Sequence, residues 1–173
     1  MSVLVAVNTG LVLFTVGIGW QVSTAGTTPV DVRSQGPVND TATDMRRHTL
    51  RILSGNLQVV TSLLGGAATL GLFTLIELLW NAFGLGFGLS TLARGTPAAL
   101  PLVIRYVPLE FSAFVLAASA ADHLSFMVLR CLATGETPRF TSATLALAIA
   151  LRMLVAAAII EAKVVQLVAG LTA

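Results

Sequence analysis

Long apolar runs alternate with short polar stretches along this chain. The apolar runs occupy residues 2–22, 57–92, 101–132 and 142–173, and a clearly polar stretch occupies residues 24–44. Crossing the hydrocarbon core of a bilayer takes roughly 20 consecutive apolar residues, so each run is long enough for at least one span. Because lipid offers no partner to free backbone groups, spans of this kind are helices. The pattern predicts an all-α polytopic membrane bundle of about four to five spans.

We predict a single integral membrane domain, residues 1–173, made of three parts. Residues 1–22 form the first span, and the lack of basic residues at its start argues against a cleaved signal peptide. Residues 23–52 form a polar loop and an amphipathic interfacial helix, and residues 53–173 form the core. On the interfacial helix three arginines are expected to contact lipid headgroups, which also favours a cytoplasmic position for this loop. They are Arg46, Arg47 and Arg51.

The run at residues 57–92 is too long for one span and short for two. Its one charged residue, Glu77, precedes Asn81 by four positions, so both side chains share one face of a helix. Alternating glycines follow at positions 84, 86 and 88, and they leave room for a broken helix. We therefore expect either two tilted helices or one span together with a re-entrant segment.

The run at residues 101–132 is the stretch around which the other helices are expected to pack. It carries Glu110 near its start and Asp122 and His123 well inside, although a carboxylate at bilayer depth costs roughly 3 kcal/mol. Between them, residues 117–121 are all small, which allows neighbouring helices to approach closely. Polar groups are tolerated at such depth when they face a packed interior, so this run is predicted to be the inner helix of the bundle.

Composition agrees with a membrane protein and excludes several other classes. Of the 173 residues, 55% are hydrophobic and 10% are charged, and the mean hydropathy is +0.88. The single cysteine, Cys131, excludes an internal disulfide and a cysteine-based zinc site, and His48 and His123 alone do not suggest a metal site. The few basic residues lie beside apolar runs, where lipid phosphate explains them better than nucleic acid does. No cofactor, metal site or nucleic-acid partner is predicted.

The polar side chains inside the apolar runs allow three interpretations. In the first they hydrogen-bond between helices and fix the register of the bundle, which is a common role for such groups. In the second they couple the chain to transport of a substrate. In the third they are acid–base groups of an intramembrane enzyme that cleaves or ligates a leader peptide, although the sequence lacks H-E-x-x-H and G-x-S-x-G elements. The candidates for that catalytic role are Glu77, Glu110, Asp122, His123 and Glu161.

Three motifs follow one another between about residues 48 and 165. The first is SGNLQVVTSLLGG at residues 54–66, followed by NAFGLG at residues 81–86. The second is EFSA at residues 110–113, followed by the small-residue run, and the third is AIIEA at residues 158–162. In their order and spacing these motifs resemble the stage II sporulation protein M family of multi-pass membrane proteins.

The chain departs from the family's pattern at three places. Tyr106 and Val107 stand where the family has His-Gly, so any role of that histidine is absent here. Ala82 replaces a glycine, and no proline follows the glutamate of the third motif. Several polar residues keep their motif positions or share a helix face with one that does, and these are the candidates for an intramembrane functional role. They are Asn56, Glu77, Asn81, Glu110 and Glu161.

The resemblance implies a non-catalytic integral membrane subunit of a multiprotein assembly in the bacterial cell membrane. Members close to the bare domain in length are similar to proteins encoded beside circular bacteriocins, which implies maturation or export of a small apolar peptide with an ABC-type ATP-binding subunit. The alternative is a membrane scaffold for peptidoglycan-remodelling enzymes, as in spore engulfment. The expected partners are other membrane subunits, the ATP-binding subunit, the peptide and the lipid bilayer, and self-association into a homo-oligomer is left open.

Overall fold

The computed structural model describes residues 1–25 and 42–172, while residues 26–41 of the predicted polar loop lie outside this description. The helices are α1 (Ser2–Ala25), α2 (Ala42–Gly65), α3 (Leu72–Gly95), the short α4 (Leu100–Val103), α5 (Val107–Thr134) and α6 (Thr141–Thr172). The described residues contain no strand, and four helices (α1, α3, α5 and α6) are long and apolar enough to cross a membrane. The predicted all-α polytopic bundle is confirmed.

Helix α5 is the inner helix of the bundle, as the sequence predicts. It contacts α1, α2, α3 and α6, and from residue 113 to residue 121 every side chain except Leu116 is buried. Small alanine and serine side chains in this stretch let the neighbouring backbones approach closely. The helix starts later than the apolar run, because Pro101 opens the separate turn α4 and Pro108 lies in the first turn of α5. Proline suits the first turn of a helix, where its missing N–H costs nothing.

Helices α1 and α3 pack against each other through glycine. A Cβ atom added to Gly86 would collide with the backbone carbonyl of Val16, and one added to Gly19 would collide with that of Phe83. The neighbouring Gly84 and Gly88 face open space. The alternating glycines therefore do not break the helix. One of them brings two backbones into contact, and α3 runs without interruption through the glycine stretch.

The break in the 57–92 run falls at the turn between α2 and α3, so the run forms two helices. A 3₁₀ turn at Gly66–Thr69 leads to Leu70 and Gly71, both with positive φ, at 56° and 86°. Thr74 closes the turn, because its Oγ1 donates to the carbonyl oxygen of Leu63 at 2.8 Å. Gly66 packs directly against Thr74, where a Cβ atom would not fit.

Helix α2 combines the predicted interfacial helix with the apolar residues that follow it. Its first half carries the three arginines, which are all exposed, and its second half buries Val60 and Leu63 against the bundle. The amphipathic segment is helical as predicted, but it continues without a break into the packed part of α2. The contact of Arg46, Arg47 and Arg51 with lipid headgroups stays a prediction, as does the division of the chain at residue 52.

Side-chain contacts give the directions of the helices. The Ser142 hydroxyl, at the start of α6, lies 2.9 Å from Nε2 of His123, so α6 runs antiparallel to α5. The Ser125 hydroxyl donates to the carbonyl oxygen of Ala67 at 3.1 Å, which places the end of α2 beside the second half of α5. Helices α1 and α3 end together, because Nη2 of Arg94 donates to Oγ of Ser23 at 2.5 Å.

The two ends of the bundle differ in charge. The ends of α1, α3 and α6 and the starts of α2 and α5 share one end, which we name the basic end. It carries Arg46, Arg47, Arg51, Arg94, Arg105 and Lys163. The opposite end carries Arg130 and Arg139, and Nη2 of Arg130 is paired with Oε2 of Glu136 at 2.8 Å. The basic residues at the helix ends therefore concentrate at the basic end.

We expect Gly86→Ala to lower the free energy of unfolding by about 1–3 kcal/mol, because the added methyl group overlaps the Val16 backbone. Gly84→Ala and Gly88→Ala are matched controls on the same helix, where the new Cβ atom meets open space. Those two substitutions are expected to be neutral or mildly stabilising, since alanine favours helix over glycine. Thermal unfolding of the purified variants in detergent measures the difference. Equal midpoints for all three would contradict the α1–α3 contact.

Candidate functional site

Three helices bring four polar side chains together near the basic end of the bundle. Glu110 lies in the first turn of α5, Glu161 on α6 and Asn56 on α2, while Tyr106 immediately precedes α5. The two carboxyl groups lie within electrostatic range of each other and of the Tyr106 hydroxyl. The Asn56 amide faces the Glu110 carboxyl group. We name these four residues the carboxyl cluster. The structure thus gathers three of the five residues that the motifs predict.

Local folding explains why both glutamates face the same place. Glu110 lies two residues after Pro108, in the first turn of α5, where a carboxylate interacts favourably with the positive end of the helix dipole. Glu161 follows Leu154 by seven positions and Ala158 by three, and both of these side chains are fully buried. Residues three and seven apart share a helix face, so Glu161 points toward the packed side of α6.

Asn56 is the most buried member of the cluster, with 9% of its surface exposed. It shares the inward face of α2 with the buried Val60 and Leu63. Its amide faces the Glu110 carboxyl group, which is the acceptor within its reach, although no well-formed hydrogen bond joins them. A buried donor left without an acceptor costs about 1–3 kcal/mol, so the Glu110 carboxyl group is the natural partner of this amide.

Tyr106 is the member that the sequence motifs do not identify as functional. Burial raises the pKa of its phenol above the ordinary value of about 10, and the carboxyl groups of Glu161 and Glu110 raise it further. The phenol therefore keeps its proton and can donate a hydrogen bond. Tyr106 stands where the family's pattern has histidine, and it is the only tyrosine of the chain. These two features of the sequence could have identified Tyr106 as a candidate functional residue.

Glu77 and Asn81 form a separate pair on α3. Nδ2 of Asn81 donates to the Glu77 backbone carbonyl at 2.8 Å and lies 3.4 Å from Oε1 of Glu77. The four-residue spacing therefore places them on one face, as predicted. Their partners are each other, so these two motif residues do not join the carboxyl cluster.

Asp122 belongs to a second polar network, in which Asn8 of α1 is the central residue. Nδ2 of Asn8 lies 3.1 Å from Oγ of Ser119 and 3.1 Å from Oδ2 of Asp122. The other carboxyl oxygen of Asp122 lies where a side chain on Gly71 would project. One carboxyl group thus bonds α5 to α1 and packs closely against the turn between α2 and α3. This arrangement fits the first of the three interpretations, hydrogen bonding that fixes the register of the helices.

The candidates for acid–base catalysis do not meet at one site. His123 points away from Asp122 and contacts Ser142, as expected for neighbours on a helix, and Glu77 contacts Asn81. Only Glu110 and Glu161 lie near each other. The described residues contain no group of three or more His, Cys, Asp and Glu side chains that could hold a metal ion. The cluster contains two carboxyl groups that can accept hydrogen bonds and one amide that can donate one.

The comparisons with known proteins identify one family. A family model described as Stage II sporulation protein M matches residues 9–166. No curated protein and no solved structure matches the chain. The match extends beyond residues 48–165, which carry the motifs, and it includes most of α1, beginning one residue after Asn8.

We expect Asn8 and Asp122 to be energetically coupled. The unfolding free energies of Asn8→Ala, Asp122→Ala and the double variant should give a coupling of about 0.6–1.7 kcal/mol, the range measured for hydrogen bonds between membrane helices. Thr15 provides a control on α1, because its hydroxyl bonds to Leu11 of its own helix at 2.8 Å. The cycle of Thr15→Ala with Asp122→Ala should be additive. A coupling near zero for Asn8 would show that the network does not hold the helices together.

We expect the stability of the protein to fall as the pH rises above about 10. In the unfolded chain the phenol loses its proton near that pH, whereas in the folded chain Tyr106 retains it because its pKa is raised. The unfolded state then binds fewer protons, so the unfolding free energy decreases with pH. Phenolate absorbance reports Tyr106 alone, since the chain has one tyrosine. Titration of the folded protein near pH 10, or an unchanged pH profile in Tyr106→Phe, would contradict the prediction.

Proposed function

The chain belongs to the stage II sporulation protein M family, and we propose that it is a non-catalytic subunit of a multiprotein assembly in the bacterial cell membrane. This assembly matures or exports a small apolar peptide of the circular bacteriocin type. An ABC-type ATP-binding subunit supplies the energy, because the sequence given has no G-x-x-x-x-G-K-[ST] loop to bind ATP itself. The four candidate spans anchor the subunit in the membrane.

The observation that carries this proposal is the position of the carboxyl cluster at the basic end. Basic residues near the ends of membrane helices favour the cytoplasmic side. The basic end is therefore the cytoplasmic one, where a newly made peptide and an ATP-binding subunit are both found. The cluster lies at the start of α5, within reach of that side, and Glu110, Glu161 and Tyr106 are each partly exposed. A peptide can meet these side chains before it enters the membrane.

The second candidate is the scaffold for peptidoglycan-remodelling enzymes in spore engulfment, since the printed description of the family refers to sporulation. A scaffold of this kind needs a surface on the outer side of the membrane. At the end opposite the basic end, the described helices are joined by residues 66–71 and 135–140 only. Two six-residue connections give little surface for holding a large enzyme. The peptide-handling function therefore has the stronger support.

Affinity purification of the tagged protein from its native membrane in mild detergent, with partners identified by mass spectrometry, tests the proposal. We expect an ATP-binding subunit and a small apolar peptide to copurify. Glu110→Gln should leave the assembly intact but lower the yield of mature peptide by about 10-fold or more, since a lost charged hydrogen bond costs about 1.5–3 kcal/mol. Glu136→Gln, an exposed change at the opposite end, is the matched control and should be silent.

Recovery of cell-wall hydrolases in place of the ATP-binding subunit would transfer support to the scaffold. Normal peptide yield in Glu110→Gln would remove the carboxyl cluster from the proposed function.

A further inference from the structure

We propose that two copies of this chain associate in the membrane through the outward face of α2. Six exposed residues form a line along this face, which we name the polar seam, and the polar seam of a second copy covers it. The two copies are related by a two-fold axis along the membrane normal. This association is independent of the peptide-handling function. The members of the polar seam are Arg47, Arg51, Ser54, Gln58, Thr61 and Gly65.

The polar seam has the spacing of a surface that packs against another helix. Its members follow one another at intervals of four, three, four, three and four residues, and all six are exposed. The buried Asn56, Val60 and Leu63 lie on the opposite, inward face of α2. A repeat of about 3.5 residues keeps one line of side chains toward a partner helix that crosses at about 20°. Helix α2 therefore has a second packing surface, which the described helices leave uncovered.

The polar seam runs through the depth of the membrane, because α2 extends from one end of the bundle to the other. Helices α1, α2 and α3 each contain 24 residues, a length of about 36 Å. Helix α2 begins at the basic end, and its last turn is held near the opposite end by the bond from Thr74 to the carbonyl of Leu63. Nevertheless α2 is not among the four helices that are apolar enough to cross a membrane. Its outward face is the reason.

Lipid is a poor cover for this face at the depth of the hydrocarbon. The side chains of Gln58 and Ser54 make no hydrogen bond with a described residue, and hydrocarbon offers them none. On α1 the exposed side chains are the kind that lipid covers well, among them Leu13 and Phe14, at 68% and 69% exposed. Polar side chains in membrane spans face a packed interior or a wet one. The polar seam therefore needs a polar cover.

A second copy of the chain supplies that cover at the right depth. Both copies insert in the same orientation, so a two-fold axis brings each residue of the seam to its own counterpart. The Gln58 amide carries both donors and an acceptor, so two such side chains can bond each other. The Ser54 hydroxyl also donates and accepts. Gly65, at the end of α2, allows the two backbones to approach closely.

The two arginines of the seam lie in the first half of α2, toward the basic end. There Arg47 and Arg51 of the two copies would repel each other in an uncharged surrounding. Anionic lipid headgroups attract basic residues at this level and neutralise them. We therefore expect anionic phospholipid to strengthen the association.

Self-association of the full chain in lipid vesicles tests the proposal. Donor and acceptor dyes are attached to Cys131, the single cysteine, and energy transfer is followed as the protein is diluted with lipid that contains anionic phospholipid. We expect a dimer, and we expect Gln58→Leu to raise its dissociation constant about 10-fold, because two hydrogen bonds between the copies are lost. Gln21→Leu makes the same change at an exposed position of α1 and should leave the constant unchanged.

Cysteine cross-linking assigns the contact to the polar seam. In a Cys131→Ser background, Ser54→Cys should form a disulfide-linked dimer when native membranes are oxidised with copper phenanthroline, because the two thiols face each other across the axis. Leu13→Cys, at an exposed position of α1, should stay monomeric under the same oxidation. Unfolding midpoints of all variants show whether each one is folded.

Three results would overturn the proposal. The first is a monomer at every protein-to-lipid ratio, and the second is a dimer whose dissociation constant Gln58→Leu leaves unchanged. The third is a Ser54→Cys chain that forms no linked dimer and instead cross-links to a different protein or reacts with a membrane-impermeant thiol reagent. That result would make the polar seam the surface for another subunit or the wall of a water-filled path.

Discussion

A polar side chain inside an apolar bundle has to find its hydrogen-bond partner on another helix, and the arrangement of this protein follows from that constraint. Lipid offers no donors or acceptors, so each buried amide, hydroxyl or carboxyl group fixes the position of the element that satisfies it. Asn8 and Asp122 set the register of α1 on α5. Ser125 holds the turn after α2 against α5 through the Ala67 carbonyl. The bundle is therefore aligned by a few polar contacts, while its small residues allow the close approach.

The carboxyl cluster differs from these register-setting contacts. The network around Asn8 has matched donors and acceptors, whereas the cluster brings two carboxyl groups within electrostatic range of each other beside a single amide that faces one of them. Such an arrangement costs stability, because like charges repel each other. Functional sites are the usual places where a protein tolerates a cost of this kind. The contrast between the two networks is the reason for assigning a structural role to the first and proposing a functional role for the second.

Sequence patterns predicted the elements well and the grouping of the site only in part. The small-residue run identified α5 as the inner helix, and the four-residue spacing of Glu77 and Asn81 predicted their shared face. No spacing rule could join Asn56, Glu110 and Glu161, because that contact depends on the directions in which three separate helices run. The glycines were ambiguous for a similar reason. Gly86 has its effect through Val16 on α1, a partner that the sequence around Gly86 does not reveal.

The bond between Asn8 and Asp122 also constrains how the chain enters the membrane during synthesis. Its two residues are 114 positions apart, and chains grow at roughly 5–20 residues per second. For several seconds or longer, the first helix made therefore has an amide with no partner from the rest of the chain. During that interval water, lipid headgroups or the insertion machinery satisfy the amide in place of α5. The final position of α1 is thus fixed only after α5 has been made, so the first helix to be synthesised is among the last to be aligned.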